Sequence, residues 1–454
     1  MTTVVIVGGG PGGYEAALVA QQSGAQVTLI ERDGVGGSAV LTDVVPSKAL
    51  ISVAEAAIDT RGAGAIGVHV AKVTIDLLDV NARLKKWAAQ QSADILERLT
   101  TVGISVVAGT GHLVGADTVR VTPSNGSSYD MVADVILLAT GARPRVLDTA
   151  VPDGQRILNW EQLYDLPELP KKLIVIGSGV TGAEFAGAYQ ALGSQVVLVS
   201  SRDQVLPGQD SEAAAVLERV FHKQGMQVMS RSRAISVTRD NDQVHVTLES
   251  GEVVTGSHCL VAVGSLPNTE DLGLESAGVE IDSSGFITVD GVSRTSARGI
   301  YAAGDCTGVL MLASVAAMQG RIAMWHALGD AVGPLQLETV SSNVFTDPEI
   351  ATVGVTQAQI DDGSIQAVSV MLPLATNARA KMQGISEGFI KLFATPDSGI
   401  VLGGVVVAPK ASELIFPIAL AVQHRLTTDQ VALTITVYPS LTGSIAEAAR
   451  RLGH

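Results

Sequence analysis

Apolar residues in this chain gather in short unbroken runs, separated by helix-like stretches and glycine-containing turns. Val4–Val7 is such a run. It shows no alternation of apolar and polar positions, as expected of a strand covered on both faces of a parallel sheet. A helix-like stretch follows at Tyr14–Gln22, then a second strand, Gln26–Ile30, ending at Glu31. The same order returns over residues 173–202, "LIVIGSGVTGAEFAGAYQALGSQVVLVSSR". Further apolar runs, each closing on a turn with glycine, lie at 135–145, 259–268 and 299–308. The character changes beyond about residue 336, where strands are predicted at Phe389–Phe393 and Ile400–Val407 without a phosphate-type turn. "RLKKWAAQQ" (83–91) belongs to a long helix, and "SIAEAARRL" (444–452) reads as a packing helix.

The turns inside the two repeated units carry the first chemistry. Gly8, Gly10 and Gly13 form G-x-G-x-x-G between strand and helix. The first glycine permits the tight turn, the second lets a pyrophosphate approach the backbone, and the third lets helix and strand pack closely. The helix N-terminus offers free N–H groups and partial positive charge to phosphate. Glu31 is placed to accept hydrogen bonds from ribose hydroxyls. Gly177, Gly179 and Gly182 repeat the spacing, and in each unit the end of the second strand lies 23 positions beyond the first glycine (8 to 31, 177 to 200). Two such units predict an α/β protein with two Rossmann-like dinucleotide-binding domains. The second unit ends at Ser200, Ser201 and Arg202 instead of an acid. A carboxylate there would repel a 2′-phosphate, so this ending suits NADP, with NAD still open. Asp305, after the strand at 299–303, is placed to bind a ribityl or ribose hydroxyl.

Composition narrows the class. The chain has 454 residues, 46% of them hydrophobic and 17% charged, as in a globular protein of about three domains. Its net charge of −15 argues against nucleic acid and anionic membrane surfaces as partners. The two cysteines, Cys259 and Cys306, build neither a disulfide framework nor a metal site, and the histidines show no ligand spacing. No metal is expected. The most apolar stretch, residues 399–409, is too short to span a bilayer. The N-terminus enters a strand without a basic leader, and a cytoplasmic location without membrane insertion is expected.

The ordered set "GGGPGGYEAA", "GG…PSKAL", "ATGARP", "GSGVTGAE", "YAAGD", "FTDPEIATVG", "NARAK" and "ASELI" resembles the pyridine nucleotide-disulfide oxidoreductase family, which includes dihydrolipoamide dehydrogenase, over nearly the whole chain. The resemblance implies FAD in the first site, NADP or NAD in the second, and a C-terminal α+β domain forming a homodimer. The implied domains are 1–147 with 265–335 for FAD, 148–264 for NAD(P), and 336–454 for the interface. Gly8, Gly10, Pro11, Gly12, Gly13, Glu31, Gly37, Ser38 and Lys48 are implied as FAD contacts. So are Gly111, Thr140, Gly141 and Asp305, with Met311, Leu312, Ala313 and Ser314 along the flavin edge. Gly177, Gly179, Gly182, Glu184 and Gly264 are implied on the nicotinamide side. Lys48 is implied to lie near flavin N5, paired with Glu184. A fixed cation there stabilises the anionic flavin left by hydride transfer.

The chain departs from the family's pattern at four positions. The two cysteines of the redox disulfide correspond to Ala39 and Val44, the C-terminal histidine to Tyr438, and its orienting glutamate to Gly443. Thiol–disulfide exchange needs all four groups. With the hydride route retained and the thiol route absent, the expected acceptor is a small-molecule quinone. The frame "GG-x-AVL-x-D-x-VPSK" and the ending "VYPSL-x-GSI-x-EAARRL" look like an actinobacterial NAD(P)H:quinone reductase subgroup. A soluble transhydrogenase and a non-catalytic flavoprotein are the alternatives. Tyr438 would either donate a hydrogen bond to a quinone or fill the space of the imidazole.

Overall fold

The structure is a computed structural model and describes residues 1–453. Strand Thr3–Val7 lies inside a seven-stranded sheet, between Gln26–Glu31 on one side and Val135–Leu138 on the other, all parallel. Ser105–Leu113 extends the first side in parallel and Ile300–Ala302 the second. Chain order therefore reverses across Thr3–Val7, which opens a crevice beyond the carboxyl ends of the strands. Val4, Val5 and Ile6 are buried on both faces, as their unbroken apolar run predicts. Thr118–Pro123 and Tyr129–Val132 continue the sheet in antiparallel fashion.

A second sheet repeats this plan. Lys172–Ile176 pairs in parallel with Gln195–Val199 and with His258–Val261, and Gln227–Met229 and Ile157–Leu158 complete the edges. An antiparallel meander, Ala234–Asp240, Gln243–Leu248 and Val253–Gly256, packs Val244 and Val246 onto its face. Where the chain passes between the two nucleotide units, Ala142–Pro144 pairs with Ser265–Pro267 as a two-stranded ribbon. The third unit is a five-stranded antiparallel sheet around Val401–Ala408 and Phe389–Ala394, backed by helices Phe416–Gln423 and Gly443–Leu452.

The first of the helices starts earlier than the sequence expectation. It begins at Pro11, not Tyr14. Its opening turn is Pro11-Gly12-Gly13, residues whose low helix propensity hides a turn that keeps N–H groups accessible. "PSKAL" lies inside a helix of nineteen residues, Val44–Gly62. The helical run Gly37–Ile66 has the length and mean hydropathy (1.2) of a membrane span. Its Leu50, Ile51 and Ala54 are built into the core against Ala183 and Ala186 of helix Val180–Leu192.

Candidate active site

Gly8 sets the first turn. Its φ of 104° lies in the left-handed region, and a Cβ there would meet the Ala139 carbonyl oxygen at 2.2 Å. Gly13 crosses that turn so closely that a Cβ would sit 1.9 Å from the Gly8 carbonyl oxygen. Glu31 locks the loop from the neighbouring strand. Its Oε2 accepts from the Gly9 N–H at 2.5 Å and its Oε1 from the Asp33 N–H at 2.7 Å. At Gly10, by contrast, a Cβ would meet nothing within 4 Å. That open face looks into a cleft of about 1120 Å³.

Gly8, Gly10, Pro11, Gly12, Glu31, Gly37 and Ser38 line this cleft, together with Gly111, Thr140, Gly141, Asp305, Met311 and Ala313. Leu312 and Ser314 flank it at the start of helix Ala313–Ala327. Burial raises the Asp305 carboxyl to about 6, with the Asp43 charge adding to the effect. Lys48 stands behind the wall, on helix Val44–Gly62. Its Nζ donates to Glu184 Oε2 at 2.8 Å and lies 5.0 Å over the Phe345 ring. Glu184 is buried, and its Oε1 accepts from the Phe345 N–H at 2.9 Å. The carboxylate is thereby held between helix Val44–Gly62 and the third unit of the fold. The cleft wall also includes residues that were not named as site residues from the sequence: Thr42, Asp43, Glu161, Arg143 and Asn268. Glu161 reaches it from a 3₁₀ turn far along the chain and accepts from the Thr42 hydroxyl at 3.1 Å. Arg143 pairs with the Asn268 side chain at 3.2 Å and Glu270 at 2.8 Å, fastening the ribbon between the nucleotide units.

The second turn is built like the first. Gly177 has a φ of 107°, Gly179 faces open space, and a Cβ at Gly182 would sit 1.8 Å from the Gly177 carbonyl oxygen. Gly264 is exposed with open space before it. Ser200 corrects a sequence expectation. It is buried, its hydroxyl pairs with that of Ser178 at 2.7 Å, and it accepts from the Arg202 N–H at 3.1 Å. The buried hydroxyl thus ties the loop of this turn to its strand, as Glu31 does for the first. Ser201 and Arg202 are exposed. Arg231 donates its backbone N–H to the Arg202 carbonyl oxygen at 2.8 Å from the adjacent strand end, and its guanidinium pairs with Asp203 at 2.7 Å.

The profile of the pyridine nucleotide-disulphide oxidoreductases matches residues 2–320, and that of their dimerisation domain matches residues 340–449. The chain belongs to this family. It is 54% identical to a Mycobacterium tuberculosis protein named NAD(P)H dehydrogenase (quinone), over 100% of this chain and 94% of the relative. It is 33% identical to the dihydrolipoyl dehydrogenase of Geobacillus stearothermophilus, over 99% and 95% of the two chains. The crystal structure of LpdA from Mycobacterium tuberculosis superposes with a TM-score of 0.96, at 54% identity and covering 100% of each chain. The fold alone is shared with the HOCl-induced flavoprotein disulfide reductase RclA from Escherichia coli, at a TM-score of 0.87 and 23% identity, covering 99% of each chain.

As a flavoprotein oxidoreductase of this family it uses FAD and a nicotinamide nucleotide. The cleft suits FAD by observation. The open face of Gly10 and the N-terminus of helix Pro11–Gln22 suit a pyrophosphate, and Asp305, without a side-chain partner among the described residues, suits a sugar-alcohol hydroxyl. Bound there, FAD supplies the acceptor for hydride from the nicotinamide. The family's sulfur chemistry has no counterpart on the wall. Ala39 and Val44 line the cleft between Ser38 and Lys48. The Cys259 and Cys306 thiols are both buried, and burial pushes Cys306 up to about 11 and Cys259 further. Neither supplies a thiolate near neutral pH. Tyr438 does not fill a buried imbalance in its own chain. It is 86% exposed and stands with Leu433, Ile435 and Val437 in an apolar strip on the third unit.

Proposed function

We propose that the protein is an FAD-dependent NAD(P)H:quinone oxidoreductase working without dithiol chemistry. The observation that carries this reading is the wall between Ser38 and Lys48, where Ala39 and Val44 replace sulfur while the Lys48–Glu184 pair stays intact at 2.8 Å. A fixed ammonium stabilises negative charge as hydride arrives. Glu184 holds the ammonium in place and keeps the pair neutral. The acceptor must then be one that needs no thiol, and a planar quinone fits an apolar wall. The name of the 54% identical relative supports the same acceptor class.

Lys48 and Glu184 act in this reading as the catalytic pair, and the glycine turns hold the two dinucleotides. Ser201 and Arg202, exposed beside Arg231, favour the 2′-phosphate of NADPH. The protein works as a cytoplasmic homodimer, and the exposed strip from Leu433 to Tyr438 within the dimerisation domain supports that assembly. The test is steady-state kinetics with NADPH and NADH against a quinone panel, with lipoamide and a nicotinamide analogue as competing acceptors. Quinone turnover well above both is expected. Lipoamide turnover, or faster reduction of the analogue, would overturn the reading.

A further inference from the structure

Quinone reduction leaves one proton to be accounted for. A quinone gains two electrons and two protons on becoming a hydroquinone. NAD(P)H surrenders two electrons and one proton as hydride and becomes NAD(P)⁺. The second proton comes from outside the hydride, and the family's thiol and imidazole positions, Ala39, Val44 and Tyr438, carry no group that could relay it near neutral pH.

From Ser38 to Val44 the wall carries one titratable residue, Asp43, with Lys48 behind it. Asp43 lines the cleft directly before Val44. It occupies the N-cap position of helix Val44–Gly62, where an aspartate ordinarily accepts from the first-turn N–H groups, yet its side chain makes no capping bond. Its backbone does the local work instead, donating to the Ser38 carbonyl oxygen at 2.8 Å and accepting from the Ser47 N–H at 2.9 Å. Two of the neighbouring acids are engaged, while Asp305, like Asp43, has no side-chain partner among the described residues. Glu184 holds Lys48 and the Phe345 N–H, and Glu161 takes the Thr42 hydroxyl. The Asp43 carboxyl therefore stands in the cleft without a hydrogen-bond partner among the described residues.

We propose that Asp43 is the proton donor of this reaction, a role that rests on the quinone reading. Its carboxyl O–H breaks as a hydroquinone O–H forms, while the hydride equivalent supplies the two electrons and the other proton. The carboxylate left behind feels the Lys48 ammonium, and water in the cleft returns the proton. The surroundings favour the acid form beforehand. Burial raises the Asp43 carboxyl, Lys48 opposes it, and the charges of Glu184 and Glu161 reinforce it. Asp305 and the Tyr164 hydroxyl also face this carboxyl closely enough to be shifted by it.

The test compares wild type, Asp43→Asn and Asp43→Glu as FAD-loaded proteins with NADPH, using menadione and ferricyanide as acceptors. Ferricyanide takes electrons one at a time and no proton. Asp43→Asn is expected to lose about a hundredfold in menadione turnover, the ordinary contribution of a general acid. Its loss with ferricyanide should be far smaller, and Asp43→Glu should restore most of the menadione rate. Infrared spectra of the FAD-loaded proteins should show a protonated carboxyl band in wild type that is missing from Asp43→Asn. Equal losses with both acceptors, no loss with menadione, or an unchanged carboxyl band would overturn the role. Wild type that reduces menadione alongside an equally active Asp43→Asn overturns only the role of Asp43. Wild type that reduces ferricyanide but no quinone overturns the functional reading as well.

Discussion

Lys48 is the residue whose position decides most. Its ammonium is tethered at 2.8 Å to a buried carboxylate rather than left to solvent, so its direction is fixed before substrate arrives. Preorganised charge of this kind is commonly worth about a hundredfold or more in rate. Lys48→Met is therefore expected to retain FAD yet slow anaerobic bleaching of the flavin by NADPH by about that factor in stopped flow. Ser200 and Arg202 make a second comparison at this scale. Arg202→Ala should raise the KM for NADPH by about tenfold or more, since hydrogen bonds to charged groups contribute about 1.5–3 kcal/mol, and leave NADH unchanged. Ser200→Ala removes a hydroxyl pair beneath the turn, so it should lower stability by about 1 kcal/mol without changing nucleotide preference. A preference that shifts with Ser200 and not with Arg202 would reverse the assignment made from burial.

Among elements, the two glycine turns are near copies with separate duties. A methyl at Gly13 or at Gly182 collides with the carbonyl oxygen of its own turn, at 1.9 and 1.8 Å. Overpacking of this order costs about 1–3 kcal/mol and here is relieved only by opening the turn. Gly13→Ala should yield colourless protein, while Gly182→Ala should stay yellow and fail to bleach with NADPH. Absorbance of the purified variants reads both outcomes. These turns were legible in the sequence because glycine spacing reports backbone geometry directly. Asp43 falls within a quoted frame, but its free side chain shows only in the fold, and Glu161 was not marked because it faces the cleft through packing between segments distant in the chain. Ser200 was misplaced for the same reason, since its burial depends on Ser178 across the sheet. Lys391 shows the effect between domains. It is an isolated lysine within an apolar strand of the third unit, yet its Nζ is buried between Asp210 at 2.9 Å and Glu212 at 2.5 Å, at the start of helix Ser211–Lys223. Lys391→Met leaves Asp210 buried without its cation and is expected to lose about 3 kcal/mol in a denaturant titration.

For the molecule as a whole, burial and association set the response to solution conditions. Asp305 binds its proton more tightly folded, at about 6, than the ordinary carboxylate value of 3.8. A raised acid gives stability at low pH that is lost as pH rises through the folded value. FAD-free protein should thus lose about 3 kcal/mol from this group between about pH 4 and pH 6.5, and Asp305→Asn should remove that part of the slope. The larger question is what covers the strip of Leu433, Ile435, Val437 and Tyr438, of which Ile435 is 98% exposed. Water tolerates scattered apolar residues, but a contiguous strip on a domain of the dimerisation type marks a contact. Each chain also carries a net charge of −15, so two copies repel at long range and only close apolar contact holds them. Sedimentation should give twice the chain mass, with association strengthening as salt screens the repulsion. Val437→Asp places one more negative charge in the strip and should shift the protein toward the single-chain mass. A dimer indifferent to that substitution would place the contact elsewhere on the third unit.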